Sequence, residues 1–214
     1  MAALQAFAAT LRRAGAPVDE VARPEIDYAV SDDLYVAMLF RAISTGLPES
    51  LLQATEQAAL DYAEGPRGYP ARIARAVRLG YPAMEQLLEQ QQRLCRAWAR
   101  FFERFDVILC PIMPTVAFAH DPSGSGPRHI AQYARRLRID GTQQPYLNGL
   151  QWPGLATVAN LPATALPTGQ FVEGLPVGVQ AIGPYLEDRT PLRFAQCVQQ
   201  ALGGFVAPPL RAGS

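Results

Sequence analysis

The sequence predicts an α/β protein: a mixed central β-sheet flanked by helices. Three observations carry this expectation. Within Asp106 to Cys110, Val107, Ile108 and Leu109 are apolar at consecutive positions, and Pro111 and Pro114 stop the run, as expected of a strand buried on both faces. Two further apolar runs, Leu161 to Gly169 and Gly174 to Pro184, are bracketed by Gly and Pro and separated by a short connector, the pattern of a β-hairpin in a buried sheet. Around them lie segments with apolar residues at spacings of three and four, the period of helices that cover a sheet.

Taken in order, Ala2 to Ala14 is predicted helical, with Leu4, Phe7 and Leu11 on one face and Gly15 as its stop. Pro17 to Ala22 is predicted as a short strand ended by Pro24. Asp32 to Ser44 aligns Leu34, Met38 and Ala42 on a second helix, and Ser50 caps a third from Leu51 to Ala63. Gly65, Pro66, Gly68 and Pro70 break the pattern before a short helix from Ala71 to Arg78. The longest periodic segment, Pro82 to Phe105, aligns Leu87, Leu94, Trp98, Phe101 and Phe105. Arg93, Arg96, Arg100 and Arg104 lie off that stripe and read as a solvated flank of a core helix. After the 106–110 strand, His120 to Gly126 is a Pro/Ser/Gly-rich loop, Ile130 to Leu137 a short helix, and Pro145 to Ala159 contains another. Past the hairpin, Thr190-Pro191 caps a last helix carrying Leu192, Phe194, Ala195, Val198 and Leu202. The tail from Pro208 to Ser214 is expected to fray.

The bulk composition bounds the function. The 214 residues are 49% hydrophobic and 18% charged, which excludes general disorder and allows one domain with a real core. Formal net charge is zero, so nothing favours nucleic acid or an anionic membrane. No apolar run approaches the roughly 18 residues of a membrane span, and residues 1–10 lack the features of a signal peptide. Cys95, Cys110 and Cys197 are odd in number and widely spaced, which suits a reducing, cytoplasmic setting. All 19 basic side chains are arginine; the chain has no lysine. Arginine stays protonated at working pH, so chemistry that needs a neutral side-chain amine has no donor here.

The constellations that carry chemistry are sparse. No glycine-rich phosphate loop, no Cys-x-x-Cys and no His-x-x-x-His is present, so neither cofactor nor metal is predicted. His120, Asp121, Ser123, Ser125 and His129 cluster in sequence, but a Pro/Ser/Gly loop supplies no rigid nucleophile or oxyanion hole, and it reads as solvent-exposed. Cys110 ends a strand, where α/β sheets place their sites, yet no histidine is near in sequence and a core role fits it better.

Several segments together resemble the amidase-signature hydrolases. They are Asp106 to Pro114, Ile139-Asp140-Gly141 with Pro145-Tyr146, Asn160-Leu161-Pro162-Ala163 through Gly169, Gly174 to Pro184, and Gly183 to Leu192. The early helix with Gly15 and Pro17-Val18-Asp19-Glu20-Val21 matches in pattern. The resemblance implies part of an α/β/α domain whose enzymes hydrolyse carboxamides through an acyl-serine intermediate. Their serine nucleophile, second serine in a cis peptide and lysine base lie in a serine- and glycine-rich stretch that nothing here matches, so no catalytic residue carries over. Residues 1–214 are therefore expected to be the C-terminal part of a single amidase domain without its N-terminal catalytic part, inactive alone. The resemblance assigns Met113, Pro114, Trp152 and Ile112 to the substrate-pocket wall. It implies a small-molecule amide in the complete enzyme, and the interrupted sheet predicts self-association through exposed edges. The alternative is a non-catalytic binding or assembly module that keeps an amidase-like pocket wall. A third reading is an unrelated hydrolase built on Cys110 or the His120 loop.

Overall fold

A computed structural model of the chain describes residues 2–120 and 132–203. Helix α1 (Ala2–Arg13) buries Phe7, Ala8 and Leu11, and the chain turns at Gly15, whose φ of 91° suits glycine. The strand expected at 17–22 does not form. The Asp19 carboxylate accepts the N–H groups of Val21 and Ala22, both at 2.8 Å, and curls the segment into a turn instead.

Helix α2 (Tyr28–Ser44) starts before the expected Asp32, because the Asp27 carboxylate caps it by accepting from Ala29 and Val30. Helix α3 (Glu49–Asp61) has Pro48 at its cap position, which moves Ser50 from the expected cap into the first turn. Helix α4 (Tyr69–Ala76) begins ahead of Pro70 rather than after it. Arg72 on α4 pairs with Asp32 at 2.8 Å and Asp33 at 2.7 Å, and the Tyr69 hydroxyl donates to Asp32 at 2.6 Å. These bonds fasten α4 to α2. Helix α5 (Tyr81–Phe102) follows its predicted stripe, burying Leu94, Trp98 and Phe101. Trp98 meets Phe101 edge-on at 6.0 Å, and Phe101 stacks on Phe105 at 4.7 Å just beyond the helix.

Strand β1 (Ile108–Pro111) follows α5. The helix expected over 130–137 is corrected: residues 132–134 are helical, but Leu137 lies in β2 (Arg136–Ile139), which pairs antiparallel with β3 (Thr142–Pro145). Asp140 and Gly141, at φ 47° and 79°, make the two-residue turn between them. A 3₁₀ turn (Tyr146–Leu150) leads into α6 (Gln151–Val158). Strands β4 (Ala163–Val172) and β5 (Leu175–Ile182) form the expected hairpin, but they run through most of the expected connector and meet at a tight Glu173-Gly174 turn. Helix α7 (Arg189–Leu202) starts just before the expected Thr190 cap. Asp188 holds the cap position, and the Thr190 hydroxyl donates to Glu187. The expected tail and most of the 120–126 loop lie outside the described residues.

The main sheet runs β1-β5-β4, with both pairings antiparallel. Because side chains alternate along a strand, one face carries Leu109, Leu166, Val179 and Ala181, which pack with Phe7 and Leu11 of α1 and Val198 of α7. The opposite face carries Ile108, Cys110 and Ile182, which join the larger cluster built by α2 to α6. Helices thus cover both faces, in three layers. The expectation that 106–110 is buried on both faces is corrected. In β1 only Cys110 is buried, while Ile108 and Leu109 are half-exposed, because β1 has a strand neighbour on one side alone among the described residues. No helix among the described residues is long and apolar enough to cross a membrane.

Candidate functional site

The end of β1 is organised by one polar side chain in an apolar strand. Gln180 on β5 lies opposite Cys110 and is buried. Its amide donates to the Pro111 carbonyl at 3.1 Å and to the Trp152 carbonyl at 2.9 Å. A buried amide demands partners, and by finding both it ties β1 to α6. Beyond Pro111 the chain runs along Ile112-Met113-Pro114, all half-buried. Met113 occupies the space left by Gly149: a Cβ there would lie 2.7 Å from Met113 Cε. Ile112 reaches toward Gly178, its Cδ1 standing 3.4 Å from where a Cβ would be.

A cavity of about 770 Å³ opens along the outer edge of β1. Leu4, Leu11 and Phe194 wall it on one side of the sheet, and Trp98, Phe101 and Trp152 on the other. Asp19, Arg23 and Asp32 supply charge at its margin. Of the four residues assigned to a pocket wall, Trp152 lines this cavity, whereas Ile112, Met113 and Pro114 lie outside it. The contribution of α1 and of the 16–23 turn escaped sequence reasoning, because nothing in their pattern shows that they face the edge of a distant strand. Gln180 could have been found: a lone amide in an apolar strand is a polar group that must be satisfied. Two buried polar atoms, Ser31 Oγ and Trp98 Nε1, have no hydrogen-bond partner, and both residues line the cavity.

The nucleophile candidates fare poorly. Burial pushes the Cys110 thiol up to about 12, and the hydrogen bond with Gln180 only partly offsets it. Such a thiol carries almost no thiolate near neutral pH. Burial also raises Cys95, whose thiol points at the Ala159 carbonyl at 3.5 Å. Cys197 and His120 are exposed. Asp121, Ser123, Ser125 and His129 lie outside the described residues. Among the described residues, no three His, Cys, Asp or Glu side chains converge to hold a metal ion. Farther along the chain, the Arg135 guanidinium lies 4.9 Å from the ring centroids of both Phe118 and Tyr146 and donates to the Ala119 carbonyl at 3.0 Å. The site therefore offers apolar walls and two amide-bridged carbonyls.

Comparison with known proteins matches this arrangement to one family. The profile of the family named Amidase matches residues 1–192. A glutamyl-tRNA(Gln) amidotransferase subunit from an Exiguobacterium species is 28% identical over 217 residues, covering 94% of this chain and 41% of that protein. The same-named protein of Geobacillus stearothermophilus is 32% identical over 143 residues, covering 63% of this chain and 26% of its own length. In solved structures, an amidase superposes with a TM-score of 0.64 at 19% identity, over 94% of this chain and 41% of the amidase. The glutamyl-tRNA(Gln) amidotransferase subunit of Thermotoga maritima superposes at 0.60 with 18% identity, over 98% of this chain and 41% of that protein. At such identities the superpositions speak for the fold. This chain spans about two fifths of the length of these proteins.

Proposed function

Because this chain belongs to the amidase family, we propose that it forms the substrate-facing wall of an amide-processing site whose nucleophile and base come from family residues outside this sequence. The observation that carries this reading is the family match over residues 1–192 in a chain without a single lysine. The family's base is a lysine that works when neutral, and none of the 19 arginines can replace it. The reaction is the family's: a carboxamide and water give a carboxylate and ammonia or an amine, through an acyl-serine intermediate. The relatives named as amidotransferase subunits make transfer of the amide nitrogen, instead of its release, the other fate of the same chemistry.

In this reading residues 1–214 are the C-terminal part of one amidase domain, working in the cytoplasm. Met113, Pro114, Trp152 and Ile112 face the substrate, with Trp152 held by its carbonyl bond to Gln180. A non-catalytic binding or assembly module is the second reading, and the same missing lysine favours it. Ammonia release from glutamine and from benzamide separates the readings. The chain alone is expected to release none. Fused to the part of the Exiguobacterium relative that it does not match, it is expected to release ammonia from one of them. Turnover by the purified chain alone would overturn the proposal, and a folded but inactive fusion would leave the second reading in place.

A further inference from the structure

Two stretches of chain carry the four residues assigned to the substrate wall. Residues 111–119 hold Ile112, Met113 and Pro114, and residues 146–152 end on Trp152. No backbone hydrogen bond joins the two stretches directly. Side chains join them instead. At one end the Gln180 amide donates to the carbonyls of both Pro111 and Trp152. In the middle Met113 fills the space beside Gly149. At the other end Phe118 meets Tyr146 edge-on, with ring centroids 6.1 Å apart and planes at 89°. Each step forward along the first stretch, from 111 to 113 to 118, matches a step back along the second, from 152 to 149 to 146. The stretches thus lie antiparallel without forming a β-ladder, and side chains set the spacing between them.

The far end of this wall depends on Arg135. Its guanidinium stands 4.9 Å from the centroids of both rings and donates to the Ala119 carbonyl at 3.0 Å. Its own carbonyl accepts the Tyr146 N–H at 2.9 Å. One residue therefore grips both stretches, the first by its side chain and the second by side chain and main chain together. It also stands immediately before β2, whose pairing with β3 gives the grip a fixed base. An edge-on pair of half-open rings is a weak fastening alone, and a cation facing both rings adds to it.

We propose that Arg135 is a positioning residue of the amide site: from the far end of the wall it fixes the spacing between the stretch that carries Met113 and the stretch that ends on Trp152. This rests on the functional reading above, which makes that wall substrate-facing. The action of Arg135 passes through Phe118 and Tyr146, not through contact with the substrate.

The middle of the wall carries a reporter. Met113 should oxidise slowly in hydrogen peroxide while it is held beside Gly149, and Met84, half-buried on α5, is the reference in the same digest. In the purified chain, Arg135→Ala should raise sulfoxide formation at Met113 relative to Met84 by about threefold or more, read by mass spectrometry. Gln180→Leu, at the opposite end, should raise the same ratio, while Arg138→Ala, which removes an exposed charge from β2, should leave it unchanged. Circular dichroism confirms folding. Where Arg135→Ala does not fold, Phe118→Leu releases the same grip at an exposed ring and is read in its place. In the fusion described above, Arg135→Ala should raise KM about tenfold for the amide that is turned over and keep kcat within about threefold, because the wall shifts and the nucleophile does not. An unchanged Met113 ratio in folded variants, an equal rise at Met84, or a fall in kcat with KM unchanged overturns the positioning role. A fusion that stays inactive with Arg135 in place, while the Met113 ratio responds as expected, leaves the wall standing and sinks the catalytic reading.

Discussion

Ile182 of β5 and Ile108 of β1 are paired across the same ladder, yet Ile182 is wholly buried and Ile108 is half-exposed. The contrast extends along both strands. Val179, Gln180, Ala181 and Ile182 are all buried, whereas in β1 only Cys110 is. Composition does not explain it, since β1 is the more apolar of the two at these positions. Position does: among the described residues, β5 has a strand on each side and β1 has one. An apolar run in a sequence thus shows what a strand can bury, while its place in the sheet decides how much of it is buried.

This contrast can be broken or sharpened by experiment. The largest effect concerns Cys110, the one residue of β1 that behaves like β5. With its thiol pushed up to about 12, alkylation at pH 8 should run more than about a thousandfold slower than for an ordinary thiol. It should accelerate only as pH climbs toward that value, since a raised thiol gains its reactive form at the alkaline end. Mass spectrometry of iodoacetamide-treated protein checks this, and rapid labelling of Cys110 would mean that β1 opens from the sheet. Next, Ile182→Ala should cost about 3 kcal/mol in urea unfolding against about 1 kcal/mol for Leu109→Ala. Equal costs would erase the distinction between the strands. Gln180→Leu should cost about 2 kcal/mol, because the carbonyls of Pro111 and Trp152 lose their donor. The smallest effect is on association: the isolated chain should self-associate weakly through β1, and Leu109→Lys should suppress this in sedimentation velocity. An unchanged profile would place the contact elsewhere.

Much of the fold was legible because it rests on local periodicity. The stripe of α5 and the alternation that faces Val179 and Ala181 away from Ile182 depend only on spacing. What was missed depended on short polar groups. Asp27 and Asp19 redirect the backbone through their carboxylates, extending α2 backward and abolishing the strand at 17–22. The β2–β3 hairpin was readable in principle, since Asp140-Gly141 is a strong turn signal flanked by the alternating Arg136-Leu137-Arg138-Ile139. The site was harder. Met113 and Gly149 meet across a long sequence separation, and no pattern announces that the Met113 side chain fills the space a glycine leaves. Apolarity alone read 106–110 as buried on both faces; the exposed edge was legible only through the family resemblance, which implied an interrupted sheet.

The Arg135 clasp has a consequence for substitution. By stacking on Phe118 and Tyr146 and donating to the Ala119 carbonyl, one guanidinium joins residues 118–119 to the start of the 3₁₀ turn. A lysine at that position would keep the charge but not the flat, forked donor that serves two rings and a carbonyl together. An exchange that is neutral on an open surface is therefore not neutral there.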